Sequence, residues 1–325
     1  MPPVISIVTP SYNQGRFLRQ TIESILSQDY PHLELWVMDG GSTDESVDVM
    51  KSFEGDPRFH WVSEKDKGQS DAINKGLARC TGDIFNWINS DDYLEPGALK
   101  AVAEAFETRK ADLVCGVCRK FEDLTDETTG YMQMEIKGNA EDTILIGRVC
   151  QQGTFWKTSV FRGLGGVRED LHCAMDWHLW VKYLTESGLT KVVKLEKLLA
   201  HFRQHPESKT GKAASQFKQE INAIYLDLFS ALGAPDYLRD YLRSLTGLKL
   251  PATEWKTGPH IKPRRLFSKY CEKIVKLYYH DQAYERASVW LRRSLDCNFR
   301  ISPFVLRFGS KIFWKKNVLR QGIKF

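Results

Sequence analysis

Four polar segments, each just beyond an apolar run, hold most of the side chains able to do chemistry. They are TPSYNQG (residues 9–15), DGGSTDES (39–46), SEKDKGQSD (63–71) and NSDDYLEPG (89–97). A connector needs only a turn, and these carry far more acidic and hydroxyl groups than turning requires. Asp91 and Asp92 are adjacent carboxylates, with Asn89 and Ser90 before them. Mg²⁺ and Mn²⁺ take oxygen ligands, typically one or two carboxylates, with phosphate oxygens completing the set. Read alone, the same four residues equally form an Asx turn ahead of the helix that begins near Pro96. Asp39 is followed by Gly40 and Gly41, which permit the close backbone approach a flat ligand needs. Its alternative is a turn Asp before a helix N-cap at Ser42 or Asp44.

Asp176 lies in Met175-Asp176-Trp177, where a helical pattern begins with Trp177, Trp180, Val181 and Leu184 on its apolar face. An apolar setting raises a carboxylate pKa, which suits removal of a proton from a hydroxyl. The alternative is an acid favoured by the helix macrodipole. His201, Arg203, His205 and Ser208 follow a strand end, and His205 offers a metal ligand or a phosphate donor, or is a surface histidine.

The elements that must position these groups alternate between two periods. Apolar runs at 4–10, at LELWVMD and at 59–62, 84–88 and 113–117 read as strands. Helical spacing appears at 16–28, 46–53, 70–79 and 96–108. Strands alternating with helices of about ten residues predict right-handed βαβ crossovers and a mostly parallel sheet. Ligands bind beyond the carboxyl ends of such strands, where the four polar segments converge. Downstream, FEDLTDETTGYMQM predicts a hairpin turning at Thr129-Gly130, QQGTFWKTSVF a strand into a helix, and 191–195 and 198–203 two strands. Beyond Ala213 the pattern is helical, with breaks near 233–235, 250–251 and 256–263.

Taken together, TPSYN after the first strand, Asp39 in VMDGGSTDES, GDIFNWINSDD, QQGTFWKTSVF, AMDWHLW and HFRQHPES resemble the family 2 glycosyltransferases of the GT-A fold, over roughly residues 4–210. The resemblance implies an α/β GT-A architecture: a Rossmann-like, mostly parallel sheet flanked by helices, with a C-terminal helical extension. It implies a nucleotide-diphosphate sugar as donor, a UDP-sugar foremost, contacted by Thr9, Pro10, Ser11, Tyr12, Asp39, Lys67, Gly68, Asp71, Asn89 and Ser90. Tyr12 would stack on the base, Lys67 meet phosphate and Asp71 the ribose or base. Solvated charge is the plain alternative for the last two. A divalent metal, Mn²⁺ or Mg²⁺, would sit on Asp91 with Asp92 as helper and His205 as a further ligand. The family slot usually reads Asp-x-Asp, and Asn89 replaces its first acid. Asp176 would be the general base of an inverting transfer. Gln151, Gln152, Trp156 and Trp177 would line the acceptor, since aromatic faces suit sugar rings, with core packing as the alternative. The acceptor would be a glycan or lipid-linked hydroxyl in surface polysaccharide synthesis. A sugar-phosphate nucleotidyltransferase is a rival enzyme class. It would want a Gly-rich basic loop after strand one, which TPSYNQG lacks.

Composition bounds the rest. The 325 residues are 42% hydrophobic and 27% charged, which excludes collagen-like, low-complexity and wholly disordered chains. No run approaches the ~18 apolar residues of a membrane span, and no signal peptide is visible. Seven thinly spread cysteines predict a reducing, cytoplasmic setting. Residues 1–255 hold 29 Lys and Arg against 37 Asp and Glu, whereas 256–325 hold 17 against 4, so a body of charge −8 carries a tail of +13. The expected organisation is a catalytic domain at 1–255 (donor half 1–120, acceptor half 121–212, helices 213–255) and a basic helical region at 256–325. That region predicts an anionic membrane surface as partner and peripheral attachment to the inner face of the cell membrane. Its alternatives are packing on the acidic body, a homodimer contact, or a non-catalytic anion-binding module. It shows no nucleic-acid motif, so no nucleic acid is expected.

Overall fold

β1 (Ile5–Ser11) is buried at every residue, which is why its sequence is a continuous β-branched run rather than an alternating one. It pairs in parallel with β2 (Leu33–Asp39) on one side and β4 (Ile84–Trp87) on the other, and β2 pairs in parallel with β3 (Phe59–Ser63). The crossovers are α1 (Gly15–Leu26), α2 (Ser46–Lys51) and α3 (Gln69–Arg79). Phe17, Leu18, Thr21, Ile22 and Ile25 of α1 recur at helical spacing and are all buried. At Gly76 of α3 a Cβ would stand 2.6 Å from Val8 Cγ1, so this glycine lets the helix lie close on β1. The computed structural model describes residues 2–208, 213–298 and 302–320, the side chains of 317–320 excepted.

The sheet continues through β5 (Tyr93–Leu94), β6 (Leu113–Glu122), β7 (Thr128–Gln133), β8 (Thr154–Lys157) and β9 (Val192–Gln204), in the order β3-β2-β1-β4-β8-β6-β9-β5 with β7 beside β6. Six of the nine strands run one way; β5, β7 and β8 oppose them. α4 (Ala98–Arg109), α6 (Thr158–Gly163) and α7 (Met175–Ser187) complete this body.

Two expectations need correction. Thr129 and Gly130 lie inside β7; the chain reverses before it, where Asp126 takes φ 54° and its N–H bonds to Glu122 O at 2.9 Å. The two strands expected at 191–195 and 198–203 are one strand, β9. Between the pairs Leu113↔Val192 and Glu122↔Gln204, β9 contains three more residues than β6, accommodated by register shifts around Val117. An irregularity of this kind keeps hydrogen bonding going on either side, so a gap in the apolar pattern is not a strand end.

The chain forms two compact units, Met1–Glu135 with Arg148–Ile221, and Ile136–Gly147 with Asn222–Phe325. The division therefore falls at 221/222 rather than at 255/256. The reason is aromatic packing within the second unit: Phe229 lies 5.2 Å from both Phe267 and Tyr270, and Tyr225 lies 5.1 Å from Tyr270, centroid to centroid. This unit also takes up α5 (Ala140–Ile146), through Tyr225 Oη donating to Ile144 O at 3.1 Å and Lys262 N donating to Glu141 at 2.9 Å. Its other helices are Asp236–Leu245, Pro263–His280, Tyr284–Cys297 and Pro303–Arg320; helix Ala214–Ala231 carries the boundary. Trp290 is buried, 4.7 Å from Tyr241.

α1 has no cap from its own N-cap residue. Instead Asp44, in the loop after β2, accepts from Gly15 N at 2.9 Å and from Ser46 N at 3.1 Å. Burial alone would raise the Asp44 pKa; the Ser46 and Gly15 donors outweigh it and hold the carboxyl below its usual range. Its stabilising contribution is therefore present above the unfolded-state pKa and lost as pH falls through the folded one. Asp44→Ala is expected to cost ~1 kcal/mol in urea unfolding at neutral pH. The difference from wild type should shrink as the measurement moves below about pH 4.

Candidate active site

The parallel register brings Ser11, Asp39 and Ser63 side by side at one sheet edge. Asp39 is 2% exposed. Its carboxylate accepts from Gly41 N (3.1 Å), Ser42 N (2.9 Å), Ser42 Oγ and Ser63 Oγ (2.7 Å). These contacts make it the organiser of its own turn, with Gly41 at φ 83°. The loops are then laced: Gly40 N donates to Ser11 O, Asn13 N to Ser42 Oγ, and Thr43 N to Asn13 Oδ1. Thr9 Oγ1 and Ser11 Oγ are buried without a hydrogen-bond partner, whereas Tyr12 stands 61% exposed above them. In the third loop, Asp71 accepts from Lys67 N (3.0 Å) and pairs with Lys75 (3.2 Å). Burial pushes its pKa up, and these donors more than reverse it. The Lys67 ammonium is mostly exposed, 3.6 Å from Glu169, and Gly68 takes φ 118°.

The fourth loop separates its two acids. Asp92 is 1% exposed: Oδ2 accepts from Gln152 Nε2 (3.0 Å) and Asn89 Nδ2 (3.2 Å), and Oδ1 from Arg203 N (3.1 Å). Burial first, and the neighbouring Asp91 charge second, push its pKa well up. A carboxylate so enclosed serves the frame, which corrects its assignment as a metal helper. Asp91 points the other way. Its Oδ2 is 3.0 Å from Nε2 of His205, whose side chain is 1% exposed and whose Nδ1 is buried without a hydrogen-bond partner. Asn89 bridges the loop to α3 through Gln69 Nε2 (2.7 Å), and Thr21 Oγ1 donates to the carbonyls of Ser90 and Asp92.

This arrangement fits a divalent cation at Asp91 and His205. One carboxylate and one imidazole face each other, and the orphaned Nδ1 leaves open which ring nitrogen carries the proton. Among the described residues no third acid, His or Cys joins them, so a cation there would depend on ligand oxygens. Arg203 braces the pair, donating from Nε to Asp91 O (2.9 Å), from one terminal nitrogen to Asp123 (2.6 Å) and from the other to Gln20.

Asp176 opens α7, half-buried. Burial, opposed by the Trp177 N–H and helped by the nearby Glu220 charge, raises its pKa to about 6. That N–H donates to Oδ1 at 2.7 Å. The acceptor-side residues are more structural than expected. Gln151 holds Trp87 O (2.6 Å) and Asn86 (3.2 Å), and Gln152 holds Asp92. Trp156 and Trp177 are 3% and 1% exposed. Trp156 packs edge-on to Phe161 and Tyr183, so the core-packing alternative holds for it.

Gln20, Thr21, Gln69 and Glu220 were not foreseen as site residues. Glu220 did leave a signal: with Ile224 and Leu228, both fully buried, it forms an i, i+4 stripe in which an acid stands where a hydrophobe is expected.

A parallel βαβ half with acidic loops at one edge, whose Asp91 meets His205 from beyond β9 of the mixed half, is the arrangement of the GT-A fold. In fold the chain resembles S. aureus TarS 1–349 in complex with UDP-GlcNAc, at TM-score 0.58 and 16% identity, over 99% of this chain and 93% of that one. Residues 6–165 match the model described as Glycosyl transferase family 2. The chain is 28% identical over 227 residues to the glycosyltransferase alr2836 of Nostoc sp., covering 66% of this chain and 69% of the relative. It is 24% identical over 255 residues to the chondroitin synthase of Escherichia coli, where 75% of this chain spans 35% of the relative.

The two acids should separate experimentally. Asp92→Ala strands three buried donors and is expected to cost ~1–3 kcal/mol in urea unfolding. Asp91→Ala should cost less than Asp92→Ala, since it removes one side-chain partner, His205, rather than stranding three buried donors.

Proposed function

We propose that this chain is an inverting, metal-dependent glycosyltransferase that moves a sugar from a nucleotide diphosphate, a UDP-sugar foremost, to a hydroxyl of a glycan or lipid-linked acceptor. The observation that carries the reading is Asp176: a carboxyl raised to about 6, one oxygen fixed by Trp177 N–H, the other able to accept. The acceptor hydroxyl attacks the anomeric carbon as its bond to the diphosphate oxygen breaks. The proton goes to Asp176, and the anomeric configuration inverts. The nucleotide lies along the edge formed by Ser11, Gly40 and Asp66, with the exposed Tyr12 ring against the base. A Cβ on Gly40 would stand 2.9 Å from the Asp66 carboxylate, so a larger residue there would displace that side chain. A divalent ion held by Asp91 and His205 would neutralise charge on the departing diphosphate. TarS, whose structure contains UDP-GlcNAc, and the chondroitin synthase support a UDP-sugar donor and a polysaccharide product.

The basic region supplies a reason to work at a membrane surface. Leu277, Leu306, Phe313 and Trp314 are 55%, 64%, 71% and 52% exposed, and the neighbouring Lys276 and Lys311 are exposed too. Aromatic and cationic groups so placed suit an anionic lipid interface. Among the described residues no helix is long and apolar enough to cross a membrane.

Asp176→Asn is expected to lower transfer by ~10²–10⁴ with donor binding nearly unchanged. In wild type the rate should fall as pH drops through about 6, because the protonated acid cannot accept. Loss of donor binding together with turnover would return Asp176 to a structural role. For the basic region, sedimentation with anionic and with zwitterionic vesicles should show anionic-selective binding that salt removes. Replacing Phe313 and Trp314 with Ser should weaken it, and equal binding by that variant would reject the surface.

A further inference from the structure

Glu220 is the most fully buried acid in the first unit that the chemistry above leaves unused: it is 1% exposed on helix Ala214–Ala231. Its oxygens accept four donors and no water is needed to satisfy them. Oε1 takes His172 N (3.1 Å) and Gln216 Nε2 (3.1 Å); Oε2 takes Cys173 N (2.9 Å) and Ala174 N (2.8 Å). Three of these are consecutive backbone amides, and they end one residue before α7 begins. Ala174 is the N-cap of α7 and offers it no side-chain cap, so the entry of this helix is fixed by a carboxylate from another element. Asp176 lies two residues beyond the last amide held.

We propose that Glu220 is a positioning residue for Asp176: it gathers residues 172–174 into one anion-binding turn, sets where α7 starts, and keeps a second negative charge beside the base. The proposal rests on the reading of Asp176 as the base. Two effects follow from one side chain. The clamp fixes the direction of the Asp176 carboxyl, whose Oδ1 is then met by Trp177 N–H. The charge disfavours a second carboxylate nearby and so favours the protonated form of Asp176, making it a stronger base when ionised. The groups that bear on Asp176 are few. Glu220 acts from helix Ala214–Ala231, and the Cys150 thiol, from the segment before β8, senses the Asp176 charge. On the other side of α7, Arg168, Lys182 and Asp170 act on His178.

The test uses the full chain labelled with ¹⁵N-tryptophan and needs no substrate. The Trp177 amide donates to Asp176, so its shift reports ionisation of that carboxyl, with a midpoint expected near 6 in wild type. Asp176→Asn removes the titration and assigns it. Glu220→Gln keeps the shape and removes the charge; its midpoint should fall by roughly half a unit or more. Glu220→Asp keeps the charge and shortens the reach. Its midpoint should stay near that of wild type while hydrogen exchange at the 172–174 amides quickens about tenfold or more. A folded Glu220→Gln chain with an unchanged midpoint overturns the proposal, and so does Glu220→Asp with unchanged exchange. If Glu220→Gln does not fold, the Glu220→Asp comparison decides alone. Full transfer by Asp176→Asn would instead reject Asp176 as base and leave the measured coupling to Glu220 standing, so the two failures are distinguishable.

Discussion

The enclosure of the Asp92 carboxylate ties the parallel first half of the sheet to its mixed second half. Its three donors come from three places: Asn89 in its own loop, Gln152 ahead of β8, and the backbone of Arg203 on β9. Neither half can place its loop without the other. The enclosure also fixes what its neighbour does, because a chain that turns Asp92 inward must turn Asp91 outward, toward His205. A buried acid of this kind is tolerable only when every lone pair has a donor, and removing one partner costs more than the bond contributes. The precision of the Asp91–His205 pair therefore derives from a residue that has no access to ligand.

Much of this was readable beforehand, for physical reasons that differ by residue. The strands of the first half announce themselves because both sheet faces are covered, so Ile5, Ile7 and Val8 are apolar without alternation. Asp91 and His205 were recognisable as ligand types, and the structure places them 3.0 Å apart across 114 positions. The sequence could not separate Asp91 from Asp92, since adjacent identical side chains differ only in which way the turn throws them. It also could not show that Trp156 faces the core, because an aromatic ring serves packing and sugar stacking equally well. Glu220 escaped because its partners are backbone amides, which carry no sequence signature. The 221/222 division escaped because a continuous helix crosses it.

Asp39 and Asp176 illustrate opposite uses of the same functional group. Asp39 accepts from two backbone amides and two hydroxyls, which leaves it devoted to shaping a turn. Asp176 accepts one amide at Oδ1, and burial lifts its proton affinity toward neutrality.

β9 has a further consequence, for how such a chain can change length. His201 and Arg203 are spaced by two, so they share one face of β9, and His205 follows just past its end; each is engaged: His201 with Glu95 at 2.6 Å, Arg203 with Asp123, His205 with Asp91. The common orientation of His201 and Arg203 is a matter of parity. The three extra residues of β9 relative to β6 set that parity upstream, near Val117. Inserting or deleting a single residue between that irregularity and His201 would rotate both side chains to the opposite face at once. Changes of two residues would preserve it. Length variation in this strand is thus quantised in pairs, and descendants of this chain can drift there only by even steps.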